Sequence, residues 1–342
     1  MASLERQFAA GITGLAGVSL LTGAVTRFMG KRERARRFLL HERPDGSLVE
    51  IDVHIPPRVR RVVLLDNGMG APQEYWDWVC GALPETMGYV RFNRPGYGLS
   101  TPDTRYGLEA RFELLRELRD TYTAGLPVVL AGHSLGGYFV AAYAALHPEA
   151  ARGVTHVVMV DATEVISLRH ARRTDVDRWS HQRMIMEQVF AATGLSAFRP
   201  AMNVNEQYRP EVNRSYRAFL ATPRTWATAH REYRDAQTYP ELTALDCPLT
   251  VVTAENNIGD NTLHAGIQAR LAVISRRSRH HFVDGSDHES LLSVRRHAEE
   301  VAEVIAGEPP SEPLGASWRP STRGRGAGRA AESAPEREEE PA

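Results

Sequence analysis

The chain has 342 residues, enough for one large domain with insertions and tails, and 42% of them are apolar, which is compatible with a sizeable core. A formal net charge of −1 leaves no global field to draw the chain to nucleic acid, so no nucleic-acid partner is expected. Cys80 and Cys247 are the only cysteines, which read as free thiols rather than a disulfide scaffold; no Cys/His cluster has zinc spacing, and neither metal nor cofactor is expected.

Residues 1–36 stand apart. Phe8 to Val25 carries no charge and is rich in Gly, Ala, Leu and Thr, and Arg27, Lys31, Arg32, Arg34, Arg36 and Arg37 follow it. Its 18 residues fall at the lower edge for a membrane span. A cleaved signal peptide has its cations before the apolar stretch, not after it. The segment reads as a weak anchor, an interfacial helix or a helix packed on the protein. The order of apolar stretch and cations favours peripheral or single-span membrane association, so the expected location is cytoplasmic or membrane-associated.

From residue 37 the pattern becomes regular. Arg37 to His41 and Ser47 to Ile55 flank Pro44-Asp45-Gly46, a hairpin signal. Arg61 to Asp66 is a short apolar strand ending in Asp66-Asn67-Gly68-Met69-Gly70. Glu74 to Leu83 has helical spacing, and Tyr89 to Phe92 is a strand followed by Asn93-Arg94-Pro95-Gly96-Tyr97-Gly98-Leu99-Ser100. Leu108 to Tyr122 is an amphipathic helix.

The apolar run Leu126 to Ala131 then stops at Gly132-His133-Ser134-Leu135-Gly136-Gly137, and an alanine-rich apolar helix follows from Tyr138 to Leu146. This is strand, tight turn, helix, with a hydroxyl at the tip. A serine in a strained turn needs neighbours with little side chain, which Gly132 and Gly136 provide. The N–H of Leu135, at the helix start, can donate to an oxyanion. The pattern is the G-x-S-x-G nucleophile elbow in its expected context.

Val154 to Val160 is another continuous apolar strand, ending in Asp161. Strands without polar alternation, interleaved with helices, imply an α/β fold with a mainly parallel sheet covered on both faces. Residues 162–240 break the pattern. They hold no strand run but many arginines and aromatics, among them Trp179, Tyr208, Tyr216, Phe219, Trp226 and Tyr233, and read as a helical cap over a pocket. The sheet resumes at Leu249 to Thr253. Leu263 to Ile274 is helical, Arg279 to Val283 a strand, Gly285-Ser286-Asp287-His288 a loop, and Glu289 to Ile305 the closing helix. From Gly307, Pro, Gly, Ala, Arg and Glu dominate, as in a disordered tail. The expected division is therefore 1–36, a core of 37–161 and 241–306, a cap of 162–240 inserted after the sixth strand, and a tail of 307–342.

Ser134 keeps its proton at neutral pH and needs a base, which in turn needs an orienting acid. His288 has the right place for the base, in a flexible loop after a late strand. His133 reads as a structural neighbour, and His280 and His281 sit in or beside a strand. Asp287 is too close to His288 in the chain for the two side chains to align.

These segments together resemble the α/β-hydrolase fold family of serine hydrolases over roughly residues 37–306. The matching residues are Gly132-His133-Ser134-Leu135-Gly136-Gly137, Arg94-Pro95-Gly96-Tyr97-Gly98-Leu99-Ser100, Asn67-Gly68-Met69-Gly70 and Gly285-Ser286-Asp287-His288. The resemblance implies Ser134 as nucleophile, His288 as base and Met69 as the second oxyanion N–H beside Leu135. It gives the Arg94 turn an architectural role. The family's usual acid position, after the strand preceding the histidine strand, holds Asn257 here. Asp161, Glu255 and Asp260 are then the candidates. Asp161 is favoured narrowly over Glu255 because it ends a strand at the same sheet edge as Ser134. Val160-Asp161-Ala162-Thr163 also resembles a subgroup whose later loop lacks a fixed acid.

The expectation is an esterase-like serine hydrolase acting through an acyl-enzyme on a small-molecule ester or related acyl substrate. Dehalogenase and epoxide-hydrolase chemistry in this fold takes an aspartate at the elbow, which Ser134 argues against. The alternative is a ligand-binding protein of the same fold with little or no turnover.

Overall fold

The computed structural model of the chain describes residues 2–102, 107–169, 174–198, 208, 210–256 and 262–312. Asn257, Asp260 and 313–342 fall outside the described residues, so the expectations placed on them are not addressed further.

Eight strands form one sheet: β1 (Leu39–Glu42), β2 (Leu48–His54), β3 (Arg61–Asp66), β4 (Met87–Phe92), β5 (Val128–His133), β6 (Val154–Val160), β7 (Leu249–Ala254) and β8 (Ser278–Val283). Their order is β1-β2-β4-β3-β5-β6-β7-β8. The β1–β2 and β2–β4 pairs are antiparallel, and the other pairs are parallel. Chain order reverses between β3 and β5, which lie side by side, so the crevice for a ligand opens beyond the carboxyl ends of these two strands. Asn67-Gly68 follows one end and Ser134 the other.

The continuous apolar runs reflect burial on both faces. Val62 and Leu64 of β3, Val128 and Leu130 of β5, and Val157 and Met159 of β6 point into one layer. That layer is completed by α3 (Leu108–Tyr122), α4 (Leu135–Leu146) and α9 (Thr262–Ala272), through Phe112, Leu115, Tyr138, Phe139, Ile267 and Leu271. The alternate residues Val63, Leu65, Val129, Ala131, Val158 and Val160 point the other way. There they meet Val79 of α2 (Asp77–Ala82), Leu291 and Leu292 of α10 (Ser290–Ser293), and Val301 and Ile305 of α11 (Arg295–Ala306).

Three expectations are refined. The helix expected from Glu74 starts as a 3-10 turn over Gln73–Trp76 before α2. The closing helix is two helices, because Val294 adopts an extended backbone (φ −99°, ψ 122°) between α10 and α11. The chain after Gly307 stays ordered to residue 312: Arg61 donates to the Gly307 carbonyl at 3.0 Å, and Ser278 N–H to the Glu312 carbonyl at 3.1 Å.

Between β6 and β7 lie α5 (Val165–Arg169), α6 (Thr174–Thr193), α7 (Pro210–Leu220) and α8 (Pro223–Ala236). Residues 2–37 form one long helix, α1 (Ala2–Arg37), rather than a separate segment. No helix among the described residues is long and apolar enough to cross a membrane. The later half of α1 packs by close backbone approach on α7, where a Cβ on Gly30 would lie 1.9 Å from that of Ala218, and on the turn after α6, where one on Gly23 would lie 2.5 Å from Gly194 Cα.

A buried arginine anchors α1. Arg34 pairs with Glu50 of β2 at 2.7 Å and with Glu74 at 2.6 Å, and Glu74 also accepts the Ser215 hydroxyl of α7. Burial disfavours the Arg34 charge, but the two carboxylates outweigh it and hold its pKa above the ordinary value.

Candidate active site

Ser134 sits between β5 and α4 with φ 54° and ψ −122°, a backbone region an L-residue enters only at a cost of roughly 1–3 kcal/mol. The flanking glycines make the turn sterically feasible. A Cβ on Gly132 would fall 2.3 Å from the Gly136 carbonyl oxygen, and one on Gly136 would fall 2.4 Å from the Asn67 oxygen. The turn is pinned by Ser134 N–H to the Val160 carbonyl and Thr163 N–H to the Ser134 carbonyl, both 3.0 Å.

Asp161 also has a positive φ, 43°, and its carboxylate is fully buried at the end of β6. His288 Nδ1 lies 2.6 Å from Asp161 Oδ2. Oδ1 accepts from His264 Nε2 at 3.0 Å and from Ala254 N–H at 3.3 Å. Burial alone would raise the Asp161 pKa, but the hydrogen bonds and charges of the two histidines hold it well below the usual carboxylate range. For His288 burial lowers the pKa, and the Asp161 contact outweighs it, leaving the imidazole above the ordinary histidine value.

Of the other carboxylates, Glu255 is engaged elsewhere: its Oε2 accepts the Gly285 N–H at 2.9 Å and so shapes the histidine loop rather than meeting the imidazole. Asp287 caps the start of α10, accepting Ser290 N–H at 2.8 Å.

The histidines separate in the same way. His133 donates from Nε2 to the His288 carbonyl at 2.9 Å, and its ring stacks 4.5 Å from that of His288. Burial, then the neighbouring His288, push its pKa down to about 3, so it is a neutral prop for the histidine loop. His280 bonds Thr253 at 2.7 Å, and His281 bonds Glu300 at 2.7 Å, both away from the Asp161 cluster. Burial pushes the thiols of Cys80 and Cys247 up to about 12, which makes both poor nucleophiles.

The Ser134 hydroxyl makes its hydrogen bond with Thr163 Oγ1, at 3.4 Å. Among the described residues no hydrogen bond joins Ser134 to His288. Leu135 is the first residue of α4, where the helix has no carbonyl for its N–H. Opposite it, the loop Asn67–Gly70 presses on the elbow: a Cβ on Gly68 would be 3.2 Å from that of Ser134. The Met69 N–H in this loop has no protein acceptor among the described residues.

Arg94 holds this loop. It donates to Asp66 Oδ1 and to the Asn67 carbonyl, and to the Gly68 carbonyl at 3.1 Å. Its other edge forms a two-pronged pair with Glu232 of α8, at 2.8 Å on each oxygen. Tyr97 donates to the same Glu232 and accepts the Gly70 N–H at 3.0 Å. The loop beside Ser134 is thereby tied to a helix between β6 and β7.

A cavity of about 410 Å³ lies beyond the loop, lined by Met69, Ala71, Met184, Leu220, Trp226 and Ala229, with Thr26 of α1 and Trp179 of α6 also on its wall. Ser134 and His288 are not part of its lining; it adjoins them through Met69, Gly70 and Glu289. Among the described residues no group of three or more His, Cys, Asp or Glu is placed to hold a metal ion.

His264 and Thr163 were the contacts at this edge that sequence reasoning did not single out. A lone histidine on a helix carries no signal of the carboxylate it meets 103 residues away in the chain.

Solved structures share this architecture. The Cif epoxide hydrolase from Acinetobacter nosocomialis matches with a TM-score of 0.64 at 15% identity, over 85% of this chain and 97% of that one. The enol-lactonase from Burkholderia xenovorans LB400 matches with a TM-score of 0.57 at 18% identity, over 78% of this chain and 99% of that one. A serine hydrolase involved in carbazole degradation matches with a TM-score of 0.55 at 15% identity, over 78% of this chain and 98% of that one. At these identities the likeness is one of fold. No curated protein matches the chain. The sequence itself matches the alpha/beta hydrolase family over residues 62–304, a stretch running from β3 to α11, and the chain belongs to that family.

Proposed function

We propose that this protein is a serine hydrolase that cleaves a carboxylic ester or related acyl bond through an acyl-enzyme. The observation that carries the reading is the 2.6 Å contact between His288 and the buried Asp161, at the sheet edge where Ser134 tops its turn. Asp161 accepts the Nδ1 proton and leaves Nε2 as the basic nitrogen. Nε2 takes the Ser134 proton as Oγ attacks the acyl carbon, and the imidazolium so formed faces the Asp161 charge. The carbonyl oxygen, now anionic, is held by the N–H groups of Leu135 and Met69. His288 returns the proton to the leaving alcohol. Water then attacks the acyl-serine with His288 as base, releasing the acid and restoring the hydroxyl. The apolar part of the wall, at Met69, Met184, Leu220 and Trp226, suits a small to medium apolar acyl group, and Arg183, Glu187 and Arg217 line the remainder.

One observation favours the alternative, a ligand-binding protein with little turnover: the Ser134 hydroxyl is bonded to Thr163 rather than to His288. A fluorophosphonate separates the two readings. An activated serine is labelled rapidly and to one equivalent, and Ser134→Ala abolishes both labelling and ester turnover while circular dichroism is unchanged. Slow, substoichiometric labelling of the parent, or turnover surviving in Ser134→Ala, overturns the hydrolase reading.

A further inference from the structure

Helix α1 is patterned the wrong way round for a surface helix. Such a helix turns its large apolar residues inward. Here the residues packed inward are small or polar, Ser19, Gly23, Gly30 and Arg34, and Ser19 is bonded to the Thr193 carbonyl. At 100° per residue, Val18, Leu21, Val25, Phe28 and Met29 fall together on the opposite face, and they are 46–66% exposed. Every exposed residue between 15 and 29 is uncharged. The stripe is about 17 Å long. An apolar patch of this extent marks a contact with something apolar.

The same face changes character at its end. Arg32 and Arg36 continue it one and two turns on, with Lys31 at its flank, and all three are exposed. The remaining cations near them are already used: Arg27 bonds the Ala191 carbonyl at 2.8 Å, and Arg34 is buried on Glu50 and Glu74. An apolar stripe running into exposed cations, Arg32 itself lying over the Phe28 ring, matches the boundary between acyl chains and anionic headgroups. A second copy of this chain would have to bring carboxylates opposite Arg32 and Arg36, and its own stripe carries none.

We propose that α1 docks the protein on an anionic lipid surface, lying in the plane of the interface through Val18, Leu21, Val25, Phe28 and Met29, with Lys31, Arg32 and Arg36 against the headgroups. It does not cross the bilayer, because its inner face is committed to α7 and the Thr193–Gly194 turn. Thr26 on this helix and the exposed Trp179 both line the cavity that adjoins the loop at Met69, so docking brings the cavity wall to the lipid surface. The docking stands whether or not Ser134 is a nucleophile.

The test is co-sedimentation of the full chain with phosphatidylcholine vesicles, with and without phosphatidylglycerol. Binding is expected on the mixed vesicles and to weaken as salt is raised. Leu21→Glu/Phe28→Glu places charges on two exposed side chains, so circular dichroism and melting temperature should hold while binding falls at least tenfold. Arg32→Glu/Arg36→Glu should lower binding to the mixed vesicles by about fivefold per cation and leave binding to pure phosphatidylcholine unchanged. Failure of the parent to bind mixed vesicles, or a Leu21→Glu/Phe28→Glu variant that binds as well as the parent, overturns the proposal. So does a dimer in sedimentation velocity that this variant dissolves while vesicle binding is absent, since the face would then serve a second copy.

Discussion

The sheet edge and the helices above it are held by different means. At the edge, Ser134 and Asp161 are each fixed in a positive-φ backbone by neighbouring strands, with Val160, Val252 and Ser134 carbonyls accepting from Ser134, Asp161 and Thr163 N–H groups at 2.7–3.0 Å. The layer formed by α1, α7 and α8 is tied to the core through buried arginines, Arg94 to Glu232 and Arg34 to Glu50 and Glu74. The first arrangement fixes Ser134 and Asp161 without depending on what lies above. The second fixes the cavity wall and, through Arg94, reaches back into the loop beside Ser134. The two regions should therefore fail differently when perturbed: one in turnover at constant stability, the other in stability first.

The largest expected effect belongs to the edge. Asp161→Asn keeps the shape but removes the charge facing the imidazolium and offers Nδ1 the wrong partner, and turnover of an activated ester should fall by about 10⁴. Glu255→Gln should stay within about tenfold, because Glu255 bonds the Gly285 N–H and not His288. The reverse order would move the acid to Glu255.

The helical layer should answer in stability. Arg94→Met strands Asp66 as a buried carboxylate and leaves Glu232 with Arg111 as its remaining cation, and Arg34→Met strands Glu50 and Glu74. Breaking a buried pair costs about 3–5 kcal/mol, measurable by urea unfolding. Only Arg94 also holds the Asn67 and Gly68 carbonyls. Well below both melting points, Arg94→Met should therefore lower kcat, and Arg34→Met should leave it within about threefold. Equal kcat losses in the two variants would mean that the layers are coupled through more than Arg94.

What could be read in advance follows the same division. Strands β3 and β6 were legible to the residue, because a strand buried on both faces is a continuous apolar run that stops where the sheet stops. Ser134 was legible because a serine at such a turn leaves room only for glycine at 132 and 136. The packing of α1 was not. Hydrophobic pattern points to the buried face of a helix, and here it points away: Gly23 and Gly30 pack by absence of side chain, and the apolar residues face out. The break at Val294 was hidden for a related reason, since apolar residues recur at helical spacing through α10 and α11.

Protonation gives a finer test of the edge. In the proposed mechanism His288 serves as base only when neutral, so kcat/KM should be lost as pH falls through its pKa. Asp161 holds that pKa above the ordinary 6.5, so the acidic limb should have its midpoint above 6.5. In Asp161→Asn the residual activity should show a limb moved down, because burial of the imidazole is then opposed only by the lesser charges of Glu289 and Asp287.

The smallest effect, and the one that separates positioning from structure, is expected at His264. Its Nε2 donates to Asp161 Oδ1 at 3.0 Å, on the oxygen that does not face His288. That bond draws electron density from the carboxylate and weakens its hold on His288. His264→Leu, which has no donor, at a half-buried helix position should leave the melting temperature nearly unchanged, since Ala254 N–H still serves Oδ1. Turnover should fall by less than about tenfold, one pKa unit's worth of interaction. The informative reading is the direction of the acidic limb. With one donor gone, Asp161 holds the imidazolium more firmly, so the limb should move up, opposite to its movement in Asp161→Asn. A limb that stays in place while turnover falls would make His264 a packing residue of α9 that does not tune the Asp161 charge.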